Sequence, residues 1–473
     1  MQKLLERGEA LLADGKLEEA ESCFRTLVQS TPSSQAYNNL GVLTYQQGRS
    51  NEAADCFLNA IRLDTTNIDA VVNLCQVLQA CGALHEVIGI LQPLVRNHPK
   101  NLELKSWLDQ ALASQKNIDR TSPTKTGGPG VRPLRVLHGT CEVANQMYTI
   151  SRGLKVLGIA AETLSYYPSY LNYRSDHVLD INAFGDNARA VSETRSYAKS
   201  VINEYDLFHF HFGSSLTLDY SDLPLLAKAG KKVVMQYWGS EVRRLSVARQ
   251  FNRWVKTKVT DEQLIHDALR TVSTYVKHCI VSDYELFEYV KDYFKQVHVI
   301  PAALDLSQYS LQPSVRKPSR RPLIVHAPTS PEYKGTPQLV AAVKELETDY
   351  DFEFQLVENM PHDEAKKIYE RADVIVDQLL TGSYGLFSIE AMAMGRPVIA
   401  WISEFMKGKY PLELPIISAN PGTINERLRW ALEHRDELVQ IGIAGRKYVE
   451  MYHDHNKIAV QILNVYRQMM DEQ

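Results

Sequence analysis

The sequence predicts an α-helical repeat module followed by an α/β fold of two doubly wound, parallel-sheet domains facing a cleft. Three observations predict it: self-similarity at a fixed period over the first hundred residues, a glycine- and proline-containing break after them, and two successive runs of short apolar strands alternating with helices. A chain of 473 residues also exceeds one hydrophobic core, so several domains are expected.

The repeats come first. Gly8, Gly15, Ala20, Phe24 and Pro32 recur as Gly41, Gly48, Ala53 and Phe57, with Thr65 at the proline position, and again as Cys75, Gly82, Val87, Leu91 and Pro99. The offsets are 33 and then 34 residues. Small residues at 8, 41 and 75 and at 20, 53 and 87 let paired helices approach, while Phe24 and Phe57 fill the gap against the next repeat. Gly15, Gly48 and Gly82 turn the chain between helices. The pattern resembles the tetratricopeptide repeat. Residues 102–115 (LELKSWLDQALASQ) place Leu104, Trp107, Leu108 and Leu112 on one helical face and are expected to cap the stack, so the module spans 1–115. Residues 116–132 (KNIDRTSPTKTGGPGVR) carry almost no large apolar side chain and read as a flexible linker.

Strands are expected at 135–138, 161–164, 206–212, 232–237 and 298–300, with helices at 146–157 and 223–229, making a first α/β half over 133–318. After a polar connector at 316–322, strands at 323–326, 352–357, 374–377 and 397–401 alternate with helices at 336–346, 363–371 and 387–394 in a second half over 319–473. Ligands of open α/β sheets bind beyond the strand C-termini, so the cleft is the expected site. Neither half contains G-x-G-x-x-G or G-x-x-x-x-G-K-[ST], which disfavours a dinucleotide oxidoreductase and a P-loop ATPase.

Composition excludes other classes. Hydrophobic residues at 44%, charged residues at 23% and a net charge of −4 describe an ordinary globular chain without the basic excess of a duplex-DNA binder. No run approaches the ~18 consecutive apolar residues of a membrane-spanning helix. Residues 1–17 interleave charges with leucines, so no secretory signal is expected. Cys23, Cys56, Cys75, Cys81, Cys141 and Cys279 form no CxxC pair and mostly sit in apolar patterns. Neither a zinc site nor a disulfide framework is expected, and a reduced, cytoplasmic compartment fits best.

The most informative stretch is 374–401, VIVDQLLTGSYGLFSIEAMAMGRPVIAW. A loop containing Gly382 and Gly385 opens a helix whose first N–H groups lie near Leu386, Phe387 and Ser388, and such a terminus binds a diphosphate without needing a cation. Glu390 is placed within the first turn, where a carboxylate can accept both hydroxyls of a ribose. By itself it reads equally as a carboxylate favoured by the helix dipole. The string from Tyr384 through Glu390 to Ala393, closed by Gly395, Arg396 and Pro397, resembles the donor-site signature of glycosyltransferase family 4. Those enzymes are retaining and adopt the two-Rossmann architecture called GT-B. The resemblance covers the chain from residue 133 onward and not the repeats.

It implies that Lys334, followed by Gly335 ahead of a helix, is the lysine that neutralises the donor diphosphate, a task suited to a point charge on a flexible stem. Two positions depart from the family pattern. The glutamate expected eight residues before Glu390 is Gly382, leaving Asp377, Gln378 and Tyr384 as candidates to hold the sugar. The arginine expected just upstream of the lysine is absent, with Pro328, Thr329 and Ser330 there instead.

In the first half, 206–213 (DLFHFHFG) resembles the strand end that sets a histidine near the anomeric carbon, which makes His211 the candidate rather than His209. Residues 237–243 (YWGSEVR) resemble the family's H-G-S-D loop, with Trp238 in place of His and Glu241 in place of Asp. Gly239, Ser240, Glu241 and Arg243, with Asn145 in the first βα loop, are therefore expected on the acceptor side. Residues 243–258 hold six Lys/Arg, Phe251 and Trp254 and no acid. They read as a solvated face beside the cleft in preference to a grip on lipid or on an anionic acceptor.

Taken together, the resemblance implies a catalytic set of His211, Lys334 and Glu390 and a donor site built from Gly335, Asp377, Gly382, Tyr384, Gly385, Leu386, Phe387 and Ser388. The expected reaction transfers a sugar, with retention, from a nucleoside-diphosphate sugar acting as co-substrate to a protein or glycan acceptor, without metal or further cofactor. The repeats are expected to dock an acceptor, a partner or another copy of the chain; nucleic acid is not expected, and membrane contact is at most peripheral. Two other readings stand beside it. An inverting protein O-linked N-acetylglucosamine transferase also joins tetratricopeptide repeats to GT-B, but the E-A-M-A string does not resemble its donor site. A non-catalytic, repeat-mediated adaptor with a degenerate cleft is opposed by the surviving glycine loop, Lys334 and Glu390.

Overall fold

The computed structural model describes residues 2–80 apart from 48, 65 and 66, six positions between 91 and 108, and residues 132–168, 173–309, 321–358 and 360–472. The chain forms two compact units, Met1–Val131 and Arg132–Gln473.

The first unit is helical: α1 (Gln2–Ala13), α2 (Leu17–Ser30), α3 (Ser34–Gln46), α4 (Ser50–Leu63) and α5 (Ile68–Ala80). The small repeat positions work as expected. A Cβ at Gly8 would stand 2.7 Å from the Phe24 ring, and one at Gly41 would stand 2.6 Å from Phe57, so each phenylalanine seats on the glycine of its own repeat. Phe24 also shares a buried cluster with Ala36, Leu40 and Leu43 of the following helix. Gly15 turns α1 into α2 at φ +74. Cys75, Leu91 and Leu104 are buried together with Val71, with Trp107 and Leu108 packed on them. Gly48, Thr65, Cys81, Gly82, Val87, Pro99, Leu112 and residues 116–131 lie outside the described residues.

The second unit contains two parallel sheets. Strands β1 (Arg135–Thr140), β2 (Ala160–Ser165), β3 (His177–Val178), β4 (Leu207–His211), β5 (Lys232–Tyr237), β6 (His278–Val281) and β7 (Gln296–Val299) are ordered β3-β2-β1-β4-β5-β6-β7. Strands β8 (Leu323–His326), β9 (Glu353–Leu356), β10 (Val374–Val376), β11 (Val398–Ala400) and β12 (Ile416–Ser418) are ordered β12-β11-β10-β8-β9. Helices α6 (Gln146–Val156), α7 (Asn187–Val201), α8 (Asp222–Lys228), α9 (Glu262–Tyr275) and α10 (Tyr284–Val290) belong to the first run. The second run carries α11 (Thr336–Leu346), α12 (His362–Tyr369), α13 (Leu386–Ala393), α14 (Ile424–Glu433), α15 (Arg435–Tyr452) and α16 (His455–Asp471). This is the helical-repeat plus two-sheet GT-B arrangement that the sequence predicts. Strands β3, β6 and β12 and helices α7, α9, α10 and α14–α16 add to the elements read from the sequence.

Burial on both faces explains the near-continuous apolar strands. Along β4, Phe208 and Phe210 enter one core with Met235, Cys279 and Leu286. Leu207 points the other way, to Val136, Val234 and Ile280. That second face is closed by an element from the far end of the chain. Ile458, Ala459, Ile462 and Tyr466 of α16 pack against Ile150 and Leu154 of α6. Gly153 permits the approach, because a Cβ there would meet the Ala459 Cβ at 2.7 Å. Residues after 453 therefore pack on the first sheet, although the sequence reading assigns 319–473 as a block to the second half. Two backbone bonds mark the crossing: Leu304 N–H donates to His453 O at 2.7 Å, and His455 N–H donates to Leu304 O at 3.0 Å.

Strand order reverses between β1 and β4 in one sheet and between β8 and β10 in the other, which places a crevice at both sets of C-terminal ends.

Candidate active site

At the second switch point His326 ends β8. Burial holds its imidazole down to about 4, so it is neutral. One ring nitrogen, Nδ1, donates to Val376 O at 2.8 Å, and Nε2 pairs with the Thr336 hydroxyl at 2.8 Å. This stitches β8, β10 and the start of α11 together just where Lys334 leaves the loop. Gly335 takes φ +85, and a Cβ there would stand 2.9 Å from the Leu379 Cβ, so glycine lets the lysine loop lie flat on 379–380. The Lys334 ammonium then donates to Asp377 Oδ1 at 2.8 Å and to Gln378 Oε1 at 2.9 Å. A lysine carries three N–H donors, so one is left for the crevice.

Asp377 is 1% exposed. Burial alone would raise its carboxyl, but the Lys334 charge and the Ser388 hydroxyl outweigh that and hold it below the usual range. Its other oxygen accepts Ser388 Oγ–H at 2.7 Å and the Gly385 N–H at 3.3 Å. Asp377 and Ser388 thus lie beneath the loop as its anchors. Gly385 begins α13 without a side-chain cap, so the helix presents its first N–H groups unmasked. A Cβ on Gly385 would lie 3.5 Å from the Lys334 nitrogen, which sets the ammonium beside that terminus.

A cavity of about 300 Å³ opens there between the two sheets. Lys334, Gln378, Tyr384, Gly385 and Leu386 line it from the second sheet, and Trp238, Arg243, Ser282 and Asp283 from the first. Lys258 also approaches. Its Nζ stands 5.9 Å from the Tyr333 ring, and desolvation, then the charges of Lys334 and Arg243, hold its amine below the usual lysine range.

The other sequence candidates are placed as follows. Gly382 takes φ +85 against Ser403. Phe387 turns away to pack on Tyr369, centroids 4.8 Å apart. Glu390 is the fifth residue of α13, in its second turn rather than its first; it accepts the Tyr309 hydroxyl at 2.9 Å and follows the cavity-lining Ile389 without lining the cavity itself. His211 is fully buried. Trp238 stacks over it with planes 9° apart and donates to its Nδ1 at 3.3 Å, while its carbonyl accepts from Ser214. The wall of the cavity is Trp238, and the sugar contact expected of His211 has no open route in this arrangement.

His211 instead joins a buried chain: Nε2 pairs with His138 Nδ1 at 3.1 Å, and Tyr466 contacts His209 Nδ1 at 2.7 Å and His138 Nε2 at 3.3 Å. Burial holds all three imidazoles well below their usual range, so they are neutral. Their nitrogens lie within 4.8 Å of one another, a spacing a metal ion could use, but nearly all of them are already hydrogen-bonded.

Glu241 accepts the N–H groups of Trp238 and Gly239, shaping the turn rather than facing a ligand. Gly239 leaves room for Arg243, whose guanidinium would meet a Cβ at 2.6 Å. Arg243 reaches Glu285 through Nε at 2.9 Å and Nη2 at 2.8 Å. Ser240 lies in the same turn, outside the cavity wall.

Asn145 starts α6 at φ 61 without capping it. Glu142 does so, accepting the N–H groups of Met147 and Tyr148 at 3.1 Å each. The first half's helix terminus thus already holds a carboxylate on its first-turn N–H groups, whereas at α13 the Asp377 carboxylate meets the N–H of the N-cap residue Gly385. Burial pushes the Glu142 carboxyl up to about 7 despite those bonds. A folded-state value raised above 4.5 gives stability that is present below pH 4.5 and lost as pH rises through 7. Glu142→Gln keeps one of the two oxygen acceptors and removes the titration, so the comparison is of the change with pH and not of the offset. Melting curves from pH 4.5 to 8 are expected to show the variant gaining on the wild type by on the order of 2 kcal/mol toward pH 8.

The basic stretch 243–258, expected to be a solvated face, spans the cleft. Asn252 Nδ2 donates to Leu380 O at 2.8 Å and Thr381 O at 2.9 Å, and Phe251 stacks on Phe405 with centroids 4.7 Å apart. Its aromatics and amide hold the glycine loop from the opposite half. Asn252→Ala leaves the Leu380 and Thr381 carbonyls without this donor, and thermal denaturation is expected to show a loss of about 1–3 kcal/mol. Asp283, Tyr410 and His453, all at the cavity, are missed by sequence reasoning; a V-S-D string ending an apolar run was the available signal.

A tetratricopeptide-repeat family model matches residues 34–67. No curated protein sequence gives a significant match. Among solved structures, the chain resembles a glycosyltransferase from Rickettsia africae at 14% identity and a TM-score of 0.52, covering 72% of this chain and 100% of that one. Weaker similarity extends to an O-GlcNAc transferase from Thermobaculum terrenum (14% identity, 99% and 96% coverage, TM-score 0.42). It extends also to Anabaena HepE in complex with UDP-glucose (12%, 71% and 100%, TM-score 0.49). The first likeness supports the fold, and the other two are similarities alone. The chain joins a tetratricopeptide module to a two-sheet GT-B fold. Among the described residues no helix is long and apolar enough to cross a membrane.

Proposed function

We propose that this protein is a glycosyltransferase that takes a sugar from a nucleoside-diphosphate sugar held mainly by the second sheet. The observation that carries the reading is the Lys334 ammonium, fixed by Asp377 and Gln378 beside the uncapped start of α13 at the switch point of that sheet. Charge developing on a departing diphosphate is met there by a pre-positioned cation and helix N–H groups. These residues supply the neutralisation themselves, so transfer is expected to survive EDTA. Glu390, held by Tyr309 one residue beyond the cavity-lining Ile389, is the group suited to a ribose. The acceptor enters from the first sheet, past Trp238 and Arg243, and the strap at 243–258 excludes water from the donor. Retention follows from the family 4 resemblance, and a reduced, cytoplasmic site of action fits the cysteine pattern. A protein or glycan acceptor docked by the repeats, and assembly through them, complete the reading.

The test is a thermal-shift panel of nucleoside diphosphates and their sugars, followed by NMR of the product's anomeric configuration. Stabilisation by one nucleotide series is expected. Glu390→Ala is expected to weaken it by about tenfold or more, through lost charge-assisted hydrogen bonds. No shift with any nucleotide, and no donor hydrolysis, would sink the proposal.

A further inference from the structure

We propose that Asp283 reads the transferred group, and that this group is an uncharged hexosyl unit rather than a uronic or sialic acid; the inference rests on the nucleotide-sugar reading. Lys334 and the start of α13 mark the phosphate end of the cavity. The rest of the wall includes Trp238, Ser282, Asp283 and Tyr410 from elsewhere in the chain, with Ser383 and Tyr384 leading into that terminus. Tyr384 and Tyr410 lie together, centroids 4.8 Å apart. Aromatic faces beside a carboxylate and hydroxyls are the chemistry that binds a polyhydroxylated ring: the faces take its C–H surface and the carboxylate takes its O–H groups. At about 300 Å³ the cavity is at the small end of ligand sites, enough for one ring and not for a chain of them.

Charge decides the rest. Among the lining residues Asp283 is the carboxylate, and the cations there are matched elsewhere, Arg243 by Glu285 and Lys334 by Asp377. Asp283 follows β6 and caps α10, its Oδ1 accepting the Leu286 N–H at 2.9 Å. A carboxylate offers about four lone-pair sites, so this bond leaves most of them to the Ser383 side and the cavity. Burial and the nearby Glu285 push the Asp283 carboxyl up to about 6, which shows how little the surroundings compensate its charge. A second carboxylate on the sugar would add like-charge repulsion at Asp283, where the lining cations Arg243 and Lys334 are already paired with Glu285 and Asp377. Hydroxyls of a bound sugar donate to the lone pairs that Leu286 and Ser383 leave.

Asp283→Asn is the discriminating variant, because asparagine caps a helix as well as aspartate does and fills the same volume. Calorimetry on the full-length chain compares UDP and GDP with UDP-glucose and GDP-mannose, and with UDP-glucuronate. The expected result is unchanged nucleoside-diphosphate affinity, a loss of about tenfold or more for the hexosyl donors, and tighter binding of UDP-glucuronate. Retained diphosphate binding also reports that the variant is folded. Wild-type affinity for the hexosyl donors in the variant, or an equal loss for diphosphate and donor, would overturn the assignment of Asp283. A wild-type chain that binds no nucleoside diphosphate would remove the nucleotide-sugar reading itself, and this inference with it.

Discussion

Under the proposed function, Lys334→Met is expected to lower sugar transfer by about 10²–10³-fold, the effect of removing one pre-organised stabiliser of developing negative charge. The loss is expected in kcat and kcat/KM alike, since the contact strengthens as the diphosphate departs. The single variant has a second effect that must be separated from the first. It strands Asp377, 1% exposed, without its cation, at a cost of about 3–5 kcal/mol in stability. The pH dependence reverses accordingly. In the wild type, Lys334 holds the Asp377 carboxyl below 3.8, so the pair stabilises the fold above that pH and the contribution is lost as pH falls. Without Lys334 burial dominates, the carboxyl rises, and stability is instead lost as pH increases. Lys334→Met with Asp377→Asn removes both charges. That double variant is expected to recover most of the melting temperature while transfer stays low, measured by thermal denaturation beside a donor-hydrolysis assay. Recovery of activity along with stability would mean that Lys334 is structural.

Gly382→Glu, which reinstates the glutamate typical of family 4 donor sites, is expected to destabilise the protein and gain no activity. Gly382 sits at φ +85, in the left-handed region where a side chain costs about 1–2 kcal/mol. A Cβ there would lie 2.9 Å from the Ser403 Cβ, and Ser403 N–H donates to Gly382 O at 2.9 Å, so the neighbour cannot withdraw without breaking that bond. Overpacking adds about 1–3 kcal/mol. The melting temperature is expected to fall by on the order of 5 °C, with donor turnover reduced rather than raised. A stable, faster Gly382→Glu enzyme would contradict a loop built around glycine.

Much of the fold was legible because its signals are local. The repeat spacing depends on helices that must approach at Gly8 and Gly41, and the phenylalanines that fill those gaps lie 16 residues further on in each case. The strand C-termini carrying His326, Asp377 and His211 could be read from short apolar runs. The first sheet was harder. Strand β6 is four residues, and β3 only two, too short for a periodic pattern to declare itself. Missing β6 hid Asp283. The stretch 243–258 was legible in part: Arg249, Arg253, Lys256 and Lys258 are exposed as its charge suggests, but the contacts that cross the cleft are one amide and one ring, Asn252 and Phe251, neither distinctive in sequence. The role expected of His211 illustrates the converse. Its place at a strand end was correct, and only packing reveals that Trp238 covers it and His138 takes its Nε2.

The sequence by itself determined the order of helices, the doubly wound halves, and the lysine and glycine loop from which a nucleotide-sugar site can be argued. Those features follow from periodicity and from backbone conformations that glycine makes accessible over a few residues. Only the tertiary structure decided what meets that loop from the far side. The return of α16 to the first sheet, the clasp at Asn252, the pairing of Arg243 with Glu285 and the place of Asp283 all join residues far apart in the chain. Such contacts are set by how two sheets and their covering helices pack, and no short-range pattern encodes that.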